Sequence, residues 1–254
     1  MKHISVLCST LALCGSLLIG CGSDGGGSDG DAVTTSTTAA ASSTTVAGGA
    51  TGLFTPDELG GALLTAGDLG PGWTETQRMV FTTREPENPS LEDSLALFPE
   101  AQQQADQLRE RRSGAGADVE FDHQRTGTQG DHVRQQAWSD ANVAAYYQAL
   151  SDAIETCSGK TWTDPDGNAV TLEVLGMPPV GDESVTFTAD TTISGPDGKV
   201  TWRSSNTVGR FDTVLMSVGE VVVTSPDAEA PISTADWQAT ADLAAAGFTE
   251  LTAG

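Results

Sequence analysis

The sequence predicts an α+β fold, in which helices pack on an antiparallel β-sheet, after a disordered N-terminal linker. The first observation is the order of predicted elements: helix, strand, helix, two strands, helix, four or five strands and a final helix. Consecutive strands with short turns favour an antiparallel meander, on which helices pack. The second is residues 22–52, which are almost entirely Gly, Ser, Thr, Ala and Asp and cannot bury a core. We therefore expect one folded domain over residues 53–254.

The first 20 residues are typical of a cleaved leader. Lys2 and His3 give a short basic start, and an almost wholly apolar or small stretch follows to Ile19. This stretch is too short for a stable spanning helix, which needs about 20 apolar residues, but it suits a signal peptide. We expect residues 1–20 to be removed.

The end of this leader, Leu18-Ile19-Gly20-Cys21, resembles the lipobox of bacterial lipoproteins. The resemblance implies that a diacylglyceryl group is attached to the thiol of Cys21 and that the leader is cut before it. Residues 21–52 would then be the lipidated cysteine and a flexible linker, with the cytoplasmic membrane as a partner and the domain outside the cytoplasm. The alternative is an ordinary secretory signal with a chance cysteine.

The mature chain is strongly acidic. Loss of Lys2 with the leader leaves 11 Lys and Arg against 35 Asp and Glu, a net charge of −24. This charge argues against nucleic acid as a partner and against a second electrostatic contact with anionic lipid. A soluble acidic surface is the favoured interpretation.

The number and positions of the cysteines determine whether the domain can contain a disulfide. Cys8 and Cys14 lie in the leader and Cys21 would carry lipid, so only Cys157 remains and no internal disulfide can form. Cys157 falls on the apolar stripe of a helix predicted from an N-cap at Ser139. The other members of the stripe are Val143, Tyr147, Leu150 and Ile154. This spacing indicates a buried thiol, whereas a catalytic cysteine would need an exposed, electropositive setting.

Capping residues mark the helix ends. Thr55 with Pro56 and Glu58 forms a predicted capping box that opens the first helix. The segment DLGPGW ends that helix and starts a strand at Trp73, which we expect to run to Thr83. Residues 91–112 read as a second helical region. The last helix is predicted from Ser233, with an apolar side formed by Trp237, Ala241, Ala244, Phe248 and Leu251.

Two histidines sit on the predicted strands ADVEFDHQR and DHVRQQAW. Alternation places His123 on the same face as Val119 and Phe121, whereas His132 points away from the face of Val133. The two rings should therefore lie on opposite faces, which argues against a shared metal site. The strands after the third helix are predicted as NAVTLEVLG, ESVTFTADTTI, VTWRSSNTV and FDTVLMSV, the last turning at Gly219 into EVVVTS.

Other polar groups carry weaker signals. Asp182 and Glu183 could form a carboxylate pair, but adjacent strand residues point to opposite faces, so a charged turn is preferred. Asp164, Asp166, Gly167 and Asn168 lack the full spacing of a calcium loop and indicate a turn instead. The cluster of Arg109, Arg111 and Arg112 could bind an anion, but a solvated helix end is the preferred interpretation. No catalytic residue, metal ligand or cofactor is assigned from the sequence.

Four segments, in order, resemble the surface lipoproteins and "sensor domain" proteins of actinobacteria. They are ALLTAGDLGPGW, AIETC, VGDESVTF and FDTVLMSVGEVVV. These proteins are similar to the extracytoplasmic domain of PknH-type Ser/Thr kinases, and the likeness would cover residues 53–252. It implies an α+β sensor or binding domain with a cleft and an unidentified ligand. The kinase domain is braced by disulfides, whereas Cys157 has no partner, so no cleft geometry or binding residue is transferred.

The functional expectation is a membrane-anchored extracytoplasmic module that binds a ligand, senses it or interacts with an envelope protein. The ligand is not identified by the sequence. The alternative is a carrier of lipid or another apolar molecule in the cell envelope, which would need a large apolar cavity. An enzyme is disfavoured, because G-x-S-x-G, H-E-x-x-H and P-loop motifs are absent from residues 53–254.

Overall fold

The computed structural model describes residues 52–82, 114–124, 130–163, 167–195, 198–224 and 234–253. Within these ranges the chain forms one eight-stranded antiparallel sheet with helices on both faces, which confirms the predicted fold class. The strands are β1 (Trp73–Phe81), β2 (Ala115–Gln124), β3 (Gly130–Ser139), β4 (Lys160–Thr163), β5 (Ala169–Leu175), β6 (Glu183–Gly195), β7 (Gly198–Phe211) and β8 (Val214–Thr224). The helices are α1 (Pro56–Ala62), α2 (Ala66–Leu69), α3 (Val143–Cys157) and α4 (Thr234–Ala253).

The sheet joins two meanders in the order β1-β2-β3-β8-β7-β6-β5-β4. Strands β1 to β3 form one meander and β4 to β8 the other, and β3 pairs with β8 at the centre. The helix α3 links β3 to β4, so the chain passes from the middle of the sheet to its far edge. Antiparallel pairing throughout agrees with the prediction, but the pairing of β3 with β8 has no local sequence signal.

The sheet face covered by α3, called the α3 face here, holds one of two hydrophobic clusters. Leu150, Ile154 and Cys157 of α3 are fully buried against Leu172 and Phe187 of the sheet. All five residues of the predicted stripe are buried, which confirms the amphipathic interpretation of this helix. Cys157 is 0% exposed and carries a thiol rather than a disulfide.

The opposite face, called the α4 face, is covered by α1, α2 and α4. Trp237 and Phe248 of α4 are buried here together with Phe121 of β2 and Leu59 of α1. The two long helices that the structure describes therefore lie on different faces of the sheet. Gly247 allows α4 to approach α1 closely, because a Cβ at this position would lie 2.3 Å from the carbonyl oxygen of Ala62.

The N-terminal helical region departs from its prediction in one respect. The capping box of Thr55 and Glu58 is present, with the Thr55 N–H donating to Glu58 Oε2 over 2.8 Å. The helix ends at Ala62, however, and a separate single turn, α2, begins after Thr65. The reason is a second set of capping bonds, in which the N–H and hydroxyl of Thr65 donate to Asp68 Oδ2 over 2.7 and 2.8 Å.

Two further boundaries were predicted wrongly. The N-cap of α3 is Asn142 rather than Ser139, because Ser139 ends β3 and its hydroxyl oxygen accepts the Phe54 N–H. The chain also does not turn at Gly219, which pairs with Arg134 and Asn206 in the middle of the sheet. The turn before β8 lies at Asp212 and Thr213, with Asp212 at φ +50°.

Several predictions fall on residues that the structure does not describe. Cys21 and the leader lie outside the described residues, as do the helical region 91–112 with its arginines, Asp164, Asp166 and the proposed cap Ser233. Within the described ranges, none of the helices has the length and apolar character needed to cross a membrane.

Candidate functional site

A cleft of about 210 Å³ opens on the α4 face near the end of the sheet where β1 and β3 begin. The strands contribute Trp73, His123, Asp131 and Glu220 to its lining. Trp73, His123 and Asp131 occupy one row across three strands, since Trp73 pairs with His123 and His123 pairs with Asp131. Side chains of paired residues share a face, so this register brings the indole, imidazole and carboxylate together.

Trp73 and His123 form an aromatic wall of this cleft. Their ring centroids are 5.2 Å apart and the planes are inclined by 29°, which is a stacked arrangement. Gly72 makes room for the imidazole, because a Cβ there would lie 2.5 Å from His123 Nε2, and its φ of +94° also disfavours other residues. Within the segment DLGPGW, Gly70 therefore caps the end of α2, and Gly72 leaves the space that the His123 ring occupies.

Three carboxylates face the cleft from different elements. Asp131 of β3 is 4% exposed, and its Oδ2 lies 3.6 Å from His123 Nδ1. Glu220 of β8 is 3% exposed. Asp68 of α2 is solvent-exposed, and the hydrogen bonds from the Thr65 backbone and hydroxyl hold its pKa below the ordinary value, so it is charged near neutral pH.

Apolar surface completes the lining. Leu69 of α2, Val133 of β3 and Leu243 of α4 contribute aliphatic groups. Leu243 is 47% exposed, although a leucine on a helix that packs on a sheet is usually buried. An exposed leucine at the mouth of a cleft is the kind of surface that ligand contact would cover.

The structure places the two histidines on opposite faces of the sheet, as the alternation predicted. His123 lies in the cleft, whereas His132 lies on the α3 face, where its Nδ1 is 2.8 Å from Asp122 Oδ1. Within the described part of the chain, no group of three or more His, Cys, Asp or Glu side chains is arranged to hold a metal ion.

The α3 face carries a second polar feature, a buried network on β2 and β3. Arg134 donates through Nε and its terminal nitrogen to Asp118, and Gln136 Nε2 donates to Asp118 Oδ2 over 2.9 Å. Glu120 lies 3.3 Å from Arg134 Nε, and burial is the main reason why its pKa is raised above the ordinary value. The members satisfy one another, which indicates a structural role for the network.

Asp182 and Glu183 do not diverge as the alternation argument predicted. Arg210 contacts both, with NH1 lying 3.3 Å from Asp182 Oδ2 and Nε donating to Glu183 Oε2 over 3.0 Å. Asp182 precedes β6, so strand alternation does not apply to it. The Asp182 carboxylate also accepts the Asp212 N–H, which ties the β5–β6 connection to the β7–β8 turn. This arrangement agrees with the preferred interpretation as a charged turn.

The tryptophans differ in their surroundings. Trp138 and Trp237 are buried in the two clusters, and Trp237 donates its indole N–H to Thr207 over 3.0 Å. Trp202 is half-buried, and the side chain of Trp162 lies outside the described residues. Trp73 is the tryptophan that lines the cleft.

Sequence reasoning named His123 but missed the acidic members of the cleft. For Glu220 and Asp131, the alternation of side chains along the strands predicts that the carboxylate faces inward. Glu220 shares its parity with Val218, which is buried on the α4 face, and Asp131 shares its parity with Val133. A carboxylate in register with core residues should face inward. Asp68, Thr240 and Leu243 had no such signal, because their position depends on how α2 and α4 dock.

The chain was compared with models of protein families and with curated proteins. Neither comparison finds a match.

Proposed function

We propose that this chain is a lipid-anchored extracytoplasmic module that binds a small ligand in the cleft beside Trp73. The observation that carries the proposal is the composition of the cleft. A stacked aromatic pair, an exposed leucine and a few convergent polar groups surround a concave space. Such a mixture of apolar walls with a small number of polar groups is typical of small-molecule sites.

The size and polarity of the cleft favour a small ligand over a lipid. Its volume of about 210 Å³ lies below the range of roughly 300–1,000 Å³ that is usual for drug-sized molecules. Three carboxylates in the lining also disfavour an acyl chain, because such a chain would displace water from charged groups without hydrogen-bonding to them. We therefore prefer a ligand-binding module to the alternative of an apolar carrier.

The resemblance to PknH-type sensor domains is part of the same proposal. Two of the four segments that carry the resemblance supply cleft residues. ALLTAGDLGPGW contains Asp68, Leu69 and Trp73, and FDTVLMSVGEVVV contains Glu220. A sensor function would then place ligand recognition at the junction of these two segments.

Ligand binding in the cleft is tested by a thermal-shift screen of the processed full chain against a broad set of small polar, aromatic and charged compounds. Compounds that raise the melting temperature should lose their effect in Leu243→Thr. Val80→Thr is the matched control, because Val80 is exposed to the same degree, 48% against 47%, but does not line the cleft. Equal shifts of the melting temperature in Leu243→Thr and Val80→Thr would contradict binding in the cleft. A screen in which no compound shifts the melting temperature would contradict it as well.

The anchor is tested separately with Cys21→Ser, which keeps the size of the side chain but removes the thiol that lipid attachment requires. Two acyl chains hold a protein stably on a membrane, whereas one is marginal. In a bacterial host, the variant should leave the membrane fraction and should keep its leader or be cut elsewhere. Cys14→Ser, in the same leader, is the control and should behave as wild type. A Cys21→Ser protein that is membrane-bound at the wild-type processed mass would refute the anchor.

A further inference from the structure

The charge of the cleft narrows the class of ligand. Among the described residues of its lining, Asp68, Asp131 and Glu220 can each carry a negative charge, whereas His123 is the one side chain that can carry a positive charge. The described part of the lining contains neither lysine nor arginine. A carboxylate ligand or a phosphate would therefore meet like charges at three points, which costs binding free energy, whereas a cation would be attracted.

Burial makes this attraction stronger than it would be on an open surface. Asp131 and Glu220 are 4% and 3% exposed, so their oxygens act in surroundings of lower effective dielectric than water. Asp68 lies at the solvent side of the same cleft and remains ionised. The long-range field of an acidic chain also raises the local concentration of cations near the surface.

The remaining walls suit an organic cation better than a bare metal ion. The indole of Trp73 offers aromatic surface for a cation–π contact, which acts within about 6 Å of the ring centroid. Leu69, Val133 and the exposed Leu243 offer apolar contact to carbon atoms. Within the described residues, no acidic or histidine cluster has an arrangement suited to a metal ion. Dispersed carboxylates with aromatic and aliphatic walls match an alkyl ammonium group.

We propose that the cleft binds a small organic cation, a primary or quaternary ammonium compound, with its charge toward Asp131 and Glu220 and its carbon atoms against Trp73 and Leu243. This proposal rests on the proposed ligand-binding function and specifies the chemistry of the same site.

The experiment compares matched cationic and neutral probes with the processed full chain in a non-ionic detergent. The pairs are choline with 3,3-dimethylbutan-1-ol, and n-butylammonium with n-butanol, measured by calorimetry and by melting temperature. The cationic member of at least one pair should bind and raise the melting temperature, while its neutral partner should not. Binding should weaken as sodium chloride is raised, because salt screens the attraction.

Substitutions of lining residues test whether the cationic probe binds in the cleft. Glu220→Gln and Asp68→Asn should each weaken binding of the cationic probe by about tenfold or more, since hydrogen bonds to charged groups contribute on that order. Asp68→Asn keeps an oxygen that can cap α2, so this variant should fold. It therefore tests the role of the carboxylate charge even if the buried Glu220→Gln variant does not fold. Glu250→Gln removes an exposed carboxylate near the far end of α4 and should leave binding unchanged.

The outcomes distinguish the organic-cation proposal from the broader proposal that the cleft binds a small ligand. Equal binding of cationic and neutral probes, or binding that the cleft variants do not change, would overturn the organic-cation proposal. The same holds if calcium ions alone reproduce the effect. If compounds in the broad screen then still shift the melting temperature through Leu243, the ligand-binding function stands and only the ligand class is wrong. If no compound acts through the cleft, both proposals fail.

Discussion

Arg134 on β3 and Asp118 on β2 form an ion pair inside the protein, with 4% and 1% of the two side chains exposed. The guanidinium donates to both carboxylate oxygens of Asp118, and Gln136 supplies a further donor. A buried pair of this kind adds little net stability compared with apolar side chains of similar size. Removing one partner is different, because it leaves the other charge in a poorly solvating environment.

Asp118→Asn should therefore lower the free energy of unfolding by up to about 3–5 kcal/mol, since it removes the carboxylate that accepts hydrogen bonds from both Nε and the terminal nitrogen of Arg134. Urea unfolding followed by tryptophan fluorescence would measure the change. The double variant Asp118→Leu with Arg134→Met is the informative control, and it should be more stable than the single variant. A single variant within about 1 kcal/mol of wild type, the value of a surface pair, would show that the network does not contribute to folding.

Glu120, next to this pair, should make the domain less stable as pH rises. Burial raises its pKa in the folded state above the ordinary 4.5, so the folded protein binds the proton more tightly than the unfolded chain does. The stabilisation from this group is present below the unfolded pKa and is lost as pH rises through the window up to the folded pKa. Glu120→Gln cannot ionise, so its stability relative to wild type should increase across that window.

Glu58 provides the opposite case. Its pKa is lowered, first by the hydrogen bond from the Thr55 backbone, so it stabilises the folded state above the unfolded pKa and loses this effect as pH falls. Glu58→Gln should thus be less stable than wild type at neutral pH and equal to it in acid. Urea unfolding of Glu58→Gln, Glu120→Gln and wild type from about pH 3 to 8 would show whether the stability of each variant relative to wild type rises or falls with pH. The same sign for both would contradict the assignment of Glu120 as a buried acid.

Gln135 should be essential for docking the helices on the α4 face. Its Oε1 accepts the Leu64 N–H over 2.7 Å, and its Nε2 donates to the Ala244 carbonyl oxygen over 2.8 Å, with the side chain fully buried. Gln135→Leu leaves the Leu64 N–H without this acceptor and should cost about 1–3 kcal/mol of unfolding free energy. Gln148→Leu, on the exposed side of α3, should change stability far less, and equal losses would refute the bridging role.

Cys157 should be inert in the native protein. It is fully buried in the cluster beneath α3, so a thiol reagent should label the processed chain slowly and denaturant should accelerate the reaction. Cys157→Ser should destabilise by about 1–3 kcal/mol, because it places a more polar hydroxyl in an apolar cluster. Cys157→Ala serves as the blank for labelling. Rapid labelling of native protein would show that the helix opens at this position.

The elements that sequence predicted well are those with a local cause. The capping box at Thr55, the stripe that ends at Cys157 and the opposed faces of His123 and His132 follow from helix and strand periodicity. The prediction of a turn at Gly219 failed because glycine is also tolerated inside a strand, where neighbouring strands on both sides hold it.

The candidate site was less accessible to sequence reasoning than the fold. Its strand residues could have been found by parity, since Glu220 and Asp131 alternate with core residues. Its helical residues could not, because Asp68 belongs to a single turn and Leu243 becomes part of the lining only when α4 docks on the sheet. The cleft is thus a product of tertiary packing around residues that are far apart in sequence.

The central pairing of β3 with β8 also constrains how the domain folds. β3 ends at Ser139 and β8 begins at Val214, so the middle of the sheet cannot close until the last strand of the chain is available. Contacts this distant in sequence slow folding, because much of the chain must be ordered before they form. Until then β3 and β7 each present an unpaired edge on which other chains can add. During synthesis from the N-terminus, both edges would stay open to association with other chains until β8 has been made. A chain truncated before β8 would keep both edges unpaired.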